Sequence, residues 1–305
     1  MAGDAHTFDF VVIGSGFGGS VSALRLAEKG YSVAVLEAGR RYRDEDFPRT
    51  NWNLPRSLWL PLLRCYGMLR IRLLSDVLIL HYSGVGGGSL GYAGTLLEPP
   101  DAFYRSGSWA KMQDWKSALS PHFRTARRML GVDRVPEASA ADDILLRVAA
   151  ELGCRQSFRL QDVGVFFGEP EKTVPDPYFK GRGPSRSGCR FCGGCMVGCR
   201  YNAKNTLVKN YLYLAEQLGV QVFAETRASL IRMGPAGGYD VETTRSTAWL
   251  ATGRQRTFHA RCLVLAAGVL GTLTLLMRCR EKGTLPNLSP QLGFRVRTNS
   301  ESLTG

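Results

Sequence analysis

Hydrophobic and polar positions divide the chain into segments of different period. Phe10-Val11-Val12-Ile13 is a short unbroken apolar run, as a strand buried on both faces of a parallel sheet requires. Val21, Leu24, Ala27 and Glu28 follow at helical spacing, and Ser32 to Leu36 returns to a strand. Residues 40–80 form an excursion: a polar stretch, then an arginine-studded apolar segment that reads as helical. Helical periods dominate 100–153. There Ser120-Pro121 predicts an N-cap with proline at the first helical position, Ser139 and Asp142 a capping box, and Gly153 a helix end. Residues 154–188, rich in Pro and Gly, read as loop. Leu207, Val208, Tyr211, Leu212, Ala215 and Leu218 predict a helix over 205–218. Val220 to Ala224 predicts a strand, 228–232 and 239–244 a small antiparallel sheet, and Cys262 to Ala266 another buried strand before a helix near 270–279.

Strands that return to one sheet after long excursions imply an α/β chain. It has a Rossmann-like, discontinuous nucleotide-binding domain, with parallel strands, helices and a small antiparallel sheet, interwoven with a partial substrate domain. The expected nucleotide domain comprises 7–45, 81–110 and 200–285. Residues 46–80 and 111–199 form the substrate or insert region, and 286–305 begin a further region. No internal repeat is visible.

Between the first strand and helix, Gly14, Gly16 and Gly19 spell G-x-G-x-x-G. The first glycine permits a tight turn, the second lets a pyrophosphate reach the backbone, and the third lets helix and strand pack closely. The helix N-terminus then presents N–H groups and a dipole that favour phosphate. Glu37 ends the second strand about 20 residues further on, where the fingerprint places a partner for ribose hydroxyls. An acid there disfavours the extra phosphate of NADP. Two further segments suit a flat cofactor. Val85-Gly86-Gly87-Gly88-Ser89 offers backbone without side chains, and Leu263 to Gly268 is a strand end of small residues.

Charge and length narrow the classes. A chain of 305 residues holds one large or two ordinary domains. Its formal charge of +13 comes from scattered basic residues, and no nucleic-acid motif accompanies them. Between Arg49 and Arg72 they interleave with apolar residues, including Trp52 and Trp59. That mixture suits peripheral contact of residues 54–80 with an anionic membrane surface, and equally a solvated basic face. The opening MAGDAHTFDF lacks an apolar core of signal length, and no uncharged apolar stretch reaches about 18 residues. The expectation is a cytoplasmic chain, and its eight cysteines then argue against a disulfide framework.

These motifs, in this order, resemble the glucose–methanol–choline oxidoreductase family, and within it the cholesterol oxidase-like branch. The resemblance rests on GSGFGG with Glu37, GVGGGSLGYAG followed by Leu96-Leu97-Glu98-Pro99-Pro100, Cys-Arg-Tyr-Asn-Ala-Lys-Asn-Thr-Leu at 199–207, and LAAGVLGT at 265–272. It implies an FAD-binding domain, tightly held FAD, and oxidation of an alcohol, a sterol among the candidates, by hydride transfer to the flavin. Oxygen or another acceptor would take the electrons. By the same resemblance, Gly14, Gly16, Phe17, Gly18 and Gly19 form the pyrophosphate loop and Glu37 the adenosine ribose ligand. Gly87, Gly88 and Ser89 flank the flavin, Ala228 offers backbone to adenine, and Gly268 lies near the cofactor. Relatives carry Asn in the stretch matching Gly91 to Gly94, which here reads Gly-Tyr-Ala-Gly. Some also attach flavin through a His after the second glycine loop; none stands there, so the FAD is expected to be non-covalent. Family members place their catalytic His beyond the segment matching Leu288 to Gly305. The resemblance therefore implies a chain short at that end and names no catalytic residue in it. His6, His122 and His259 match no catalytic position, and His81 reads as structural. The alternative function is a non-catalytic flavin-binding or electron-transfer module.

Cys189, Cys192, Cys195 and Cys199 spell C-x2-C-x2-C-x3-C, the spacing of ferredoxin ligands. Gly188, Gly193, Gly194 and Gly198 would let the chain wrap a metal. The spacing leaves three readings: an iron–sulfur cluster, a four-thiolate zinc site, and reduced structural cysteines. Some dehydrogenases of the resembled family hold such a cluster. Cys65, Cys154, Cys262 and Cys279 read as ordinary thiols.

Overall fold

The computed structural model describes residues 6–235, 237–248 and 256–297. The predicted βαβ unit is β1 (His6–Ile13), α1 (Phe17–Ala27) and β2 (Val33–Leu36). A hairpin of β3 (Leu69–Leu73) and β4 (Leu78–Tyr82) follows, then helices α2 (Trp115–Met129), α3 (Ala140–Glu151) and α4 (Tyr211–Gln217). Strands β5 (Gln221–Phe223), β6 (Thr226–Met233), β7 (Tyr239–Arg245) and β8 (Arg256–Leu265) lead into α5 (Gly268–Glu281). The chain divides into two compact units. One holds the residues up to Tyr42, Trp52–Gly88 and those from Leu214 onward; the other holds Arg43–Asn51 and Ser89–Tyr213.

The first unit is built on a six-stranded sheet of order β5-β2-β1-β8-β7-β6. β5, β2, β1 and β8 run parallel, with Val11 opposite Ala34 on one side and Leu263 on the other. β7 and β6 complete the sheet as antiparallel strands. Val11, Val12, Ala34 and Val35 are wholly buried, which is why β1 and β2 read as unbroken apolar runs. Phe8, Ile13, Ile231, Val241, Phe258 and Leu275 join the core, which α5 closes from one side with Cys279. Trp52–Gly88, assigned from the sequence partly to the insert, groups with this unit.

Residues 54–80 correct the helical expectation. A single turn, Leu54–Ser57, is capped by Asn53, whose Oδ1 accepts from Arg56 N at 3.4 Å. Pro61 and the left-handed Arg64 then turn the chain, and a short pair, Trp59–Leu60 with Cys65–Tyr66, leads to the β3–β4 hairpin. Leu-Arg-Ile-Arg-Leu alternates with period two, so it pairs as a strand.

In the second unit α2 starts six residues earlier than Ser120-Pro121 predicts. Asp114 caps it, accepting from Ser117 N at 3.2 Å, and Pro121 lies inside the helix. An acid at the N-cap also complements the helix dipole, and proline removes a single N–H. The capping box of α3 forms as predicted: Asp142 N donates to Ser139 Oγ at 3.3 Å and Ser139 N to Asp142 Oδ2 at 2.8 Å. Gly153, at φ +68°, follows its end. The helix predicted over 205–218 is shorter, because Asn210 leaves helical geometry between a 3₁₀ turn at Leu207–Lys209 and α4. Among the described residues no helix is long and apolar enough to cross a membrane.

Candidate functional site

The loop from β1 to α1 turns at Gly14, whose φ is +103°. Gly19 lies against it: a Cβ on Gly19 would stand 1.9 Å from the Gly14 carbonyl oxygen. Gly16 and Gly18 differ, because a Cβ on either would meet nothing within 4 Å. No side chain caps α1 and no acid stands in its first turn, so its N-terminus keeps its positive end toward that open space. Phe17 is 38% exposed at the same end.

Glu37 and the second glycine loop meet this loop through Ser15, which the sequence reading did not single out. Ser15 is fully buried. Its N–H donates to Glu37 Oε2 at 3.1 Å and its Oγ donates to the same oxygen at 2.7 Å. The same Oγ accepts from Gly86 N at 3.1 Å. Glu37 Oε1 accepts from Gly39 N at 2.7 Å, which leaves that oxygen one further acceptor position. The backbone of Glu37 is also fixed, its N–H donating to Phe223 O and its carbonyl accepting from Thr226 N. Gly87, at φ +53°, packs so closely that a Cβ there would lie 2.6 Å from Gly16 Cα. A Cβ on Gly88 would meet open space. The small polar Ser15 thus joins three segments that the sequence could only align. Ser15→Ala strips Glu37 of a donor and removes the Oγ that accepts from Gly86 N. We expect a loss of about 2 kcal/mol in chemical denaturation, with glycine-loop contacts otherwise intact; a change below about 0.5 kcal/mol would remove Ser15 from this role.

Ala228 lies on β6, two residues past Thr226, at a bulge between Ala228 and Leu230, and packs on the core. Gly268 opens α5 at φ +69° with open space around its Cβ position. Ala266 N donates to Ile13 O at 2.8 Å, bringing the β8 end against the first glycine turn. A largely apolar cavity of about 600 Å³ opens there, lined by Gly18, Ser22, Ala266, Gly268 and Val269 among others.

Ser89 belongs to the second unit, where its Oγ accepts from Leu207 N at 3.0 Å. The loop after it is clasped by Lys204, a second residue the sequence reading did not weigh individually, although its motif was noted. Lys204 is 1% exposed. Its Nζ donates to Leu90 O at 3.1 Å and Cys195 O at 2.9 Å and sits 4.6 Å over the Tyr92 ring. Burial pushes its ammonium down to about 8.

The iron–sulfur expectation finds no support. Cys189 and Cys199 pack on the apolar cluster of Val163, Val165 and Ala203, while Cys192 is exposed. Burial pushes the Cys189 and Cys195 thiols up. Among the described residues no three His, Cys, Asp or Glu side chains converge as a metal set. A regular spacing in sequence does not aim four thiols at one point.

His81 lies directly across the hairpin from Arg70. Burial, and then Arg70 and Arg72, hold its imidazole below its ordinary 6.5. Burial and then Arg227 bring Arg70 down to about 10. For His81 the folded pKa lies below the unfolded one. As pH falls through 6.5 the unfolded chain therefore takes a proton that the folded chain resists, and stability is lost toward acid. His81→Gln should flatten that part of the loss between pH 7.5 and 5.5, read as the difference in urea midpoint; parallel pH profiles would refute the assignment.

Residues 9–44 match the FAD binding domain family. A cholesterol oxidase of Mycobacterium tuberculosis is 53% identical over 98% of this chain and 52% of its own length. One of Acinetobacter baumannii is 45% identical over 98% and 55%. A GMC-type oxidoreductase of M. tuberculosis is 29% identical over 94% and 41%. The solved formate oxidase of Aspergillus oryzae has a similar fold, with a TM-score of 0.52 at 17% identity over 90% of this chain and 48% of that one. The chain spans about half the length of the first two relatives.

Proposed function

The chain belongs to the glucose–methanol–choline oxidoreductase family, in its cholesterol oxidase-like branch, and on that footing we propose that the protein it represents is an FAD-dependent oxidoreductase of alcohols. The observation that carries this reading is the junction at Ser15, where Glu37 and two glycine loops meet in a chain 53% identical to a cholesterol oxidase. The residues present fit the cofactor. Gly16, Gly18 and Gly88 leave open space where a Cβ would stand, and the remaining acceptor on Glu37 Oε1 suits a ribose hydroxyl. The N-terminus of α1, from Phe17 to Gly19, would take the pyrophosphate. Gly87, Gly88 and Ser89 would flank the flavin, with Ala228 and Gly268 at the adenine and late-glycine positions. FAD, when bound, accepts hydride from the carbinol carbon. The chain's own part is to bind and orient it. A base within about 2.6–3.2 Å of the substrate hydroxyl is also needed, and no residue here is assigned to it.

A sterol is the finer substrate reading, supported by the names of the two most similar relatives described, and oxygen as acceptor is supported by the word oxidase in those names. The test is direct. Purified chain should take up FAD without a covalent link, turn yellow, and release FAD on denaturation. Recovery of NAD from well-folded protein, or of no nucleotide after incubation with FAD, would sink the reading. Glu37→Ala should weaken FAD retention by about 1–3 kcal/mol, about ten- to a hundredfold.

Peripheral membrane contact by residues 54–80 is part of the same proposal. Leu62, Leu63 and Leu73 are each at least 70% exposed beside Arg56, Arg64 and Arg72. Flotation with anionic liposomes at low salt should recruit the protein, and failure to float would end this part of the proposal.

A further inference from the structure

The β3–β4 hairpin carries two chemically distinct faces. Side chains alternate along a strand, so Arg70 and Arg72 share one face of β3. The register puts His81 on that face, opposite Arg70. Leu69, Ile71 and Leu73 share the other face with Tyr82, Leu80 and Leu78. It is the apolar face that is open: Ile71, Leu73, Leu78 and Leu80 are all exposed. On the basic face Arg70 stacks 4.8 Å from the centre of the buried Trp59 ring. Its Nε and Nη2 are buried, as is Nε2 of His81, and none has a hydrogen-bond partner among the described residues. Nε and Nη2 are the two donors of one guanidinium edge, the edge that meets two oxygens of a single oxyanion.

Charge at this place is unbalanced in the same sense. Arg227 on β6 and Arg72 both repel Arg70, and Arg72 and Arg278 repel Arg227. Tyr42 also faces Arg70, and its hydroxyl donates to Tyr66 O at 3.0 Å. Glu37 attracts Arg70, but its oxygens already accept from Ser15 and Gly39. Glu225, two residues before Arg227, pairs with Arg40 and Arg245, and Glu242 on β7 pairs with Arg232. Among the described residues no acid forms an ion pair with Arg70, Arg72 or Arg227. Buried donors of a guanidinium without acceptors are costly, and an anion would remove the cost.

We infer that Arg70, Arg72 and Arg227, beside His81, form a binding site for a phosphate-class oxyanion, distinct from the glycine loop that would take the cofactor's pyrophosphate. The arginines supply charge and a bidentate edge, and the neutral His81 ring, which donates to the Tyr82 carbonyl through its other nitrogen, borders the site without adding a charge. The phosphate can come from a soluble phosphate or from the headgroup of an anionic lipid, and the exposed apolar face alongside suits the second source.

The experiment is a thermal melt titrated with inorganic phosphate against sodium chloride at matched ionic strength, run with and without saturating FAD. Phosphate should raise Tm saturably in both series. Arg70→Met and Arg72→Gln should each weaken the apparent affinity about tenfold or more. Arg72 is exposed, so its variant keeps the test valid if Arg70→Met does not fold. Arg105→Gln, exposed and in the second unit, should change nothing. An equal rise with chloride, an unchanged response in Arg72→Gln, or a phosphate effect that FAD abolishes would overturn the site. Because the series without FAD stands alone, failure of FAD to bind would be seen separately. Flotation with phosphatidylglycerol vesicles, against phosphatidylcholine alone, distinguishes the sources: recruitment lost in Arg72→Gln assigns the lipid headgroup, and a phosphate response without recruitment assigns the soluble anion.

Discussion

Gly19→Ala should cost the fold about 3 kcal/mol or more and abolish retention of FAD, whereas Gly16→Ala should leave apo stability nearly unchanged and still abolish retention. The difference lies in what each new methyl meets. At Gly19 it would stand 1.9 Å from the Gly14 carbonyl oxygen and 3.0 Å from its carbon. Both belong to backbone in a turn that β1 and β8 hold rigid, so α1 must move away from the sheet. That movement opens the packing around Ala23 and Leu24, both buried, and displaces the helix N-terminus from its position. At Gly16 the methyl meets nothing within 4 Å, and the backbone there is extended, with φ −70° and ψ −167°. The fold therefore tolerates alanine, and only a ligand lying on that backbone would object. Gly18→Ala is the control for stability: inside α1, with open space around it, it should gain about 0.5–1 kcal/mol in the apo protein from helix propensity. Urea denaturation of the three variants, with and without FAD, separates the effects. If Gly16→Ala retained FAD as the unsubstituted chain does, the pyrophosphate would not lie on this loop.

Those glycines were legible because their chemistry is local. A strand, a turn and a helix within thirty residues leave little for the rest of the chain to alter, and the acid at Glu37 falls at a fixed distance. The small antiparallel sheet and α5 were legible for the same reason of clear period. What failed had two readings of similar local weight. Leu-Arg-Ile-Arg-Leu is apolar and basic, so composition suggested an interfacial helix, while its alternation favoured a strand that Pro61 and the turn at Arg64 then enforced. Ser120-Pro121 offered a cap, but Asp114 offered a better one a turn and a half earlier. Ser15 and Lys204 carried no signal as residue types. A serine becomes a junction, and a lysine a buried clasp, only when segments far apart in sequence are brought to them. Ser15 and Gly86 are 71 residues apart, and Lys204 and Leu90 are 114 apart. The cysteine spacing was the reverse case, a strong local signal of which two members, Cys189 and Cys199, pack on an apolar cluster while Cys192 is exposed.

Arg186→Met should destabilise the second unit by about 3–5 kcal/mol. Arg186 is 1% exposed and lies where the chain between Ser185 and Asn205 folds back on itself. Its Nε donates to Asn202 O at 3.0 Å, its Nη2 to Lys204 O at 2.9 Å, and its Nη1 to Asn205 Oδ1. Asn205 in turn donates to Gly131 O at 3.0 Å and Tyr178 Oη at 3.1 Å, so the guanidinium organises segments that begin at 131, 178 and 202. Among the described residues no carboxylate forms an ion pair with it. Burial pushes its guanidinium down, and the Asp44 carboxylate and the Tyr178 ring, 6.0 Å away, offset part of that cost. Methionine fills much of the volume and removes the desolvated charge, which on its own would be neutral or favourable. It also strands two backbone carbonyls and an amide oxygen in the interior, and that deficit dominates, at about 3–5 kcal/mol. Against a domain stability of about 5–15 kcal/mol this is a large share. Arg186→Lys keeps the charge but reaches fewer of the three acceptors, so it should fall between the two. The measurement is limited proteolysis with peptide mapping: cleavage should rise within 89–213 in Arg186→Met while the six-stranded sheet of the first unit stays protected. Cleavage unchanged in that segment, together with a urea midpoint within about 0.5 kcal/mol of the unsubstituted chain, would show that the acceptors find other donors and that Arg186 does not hold the unit together.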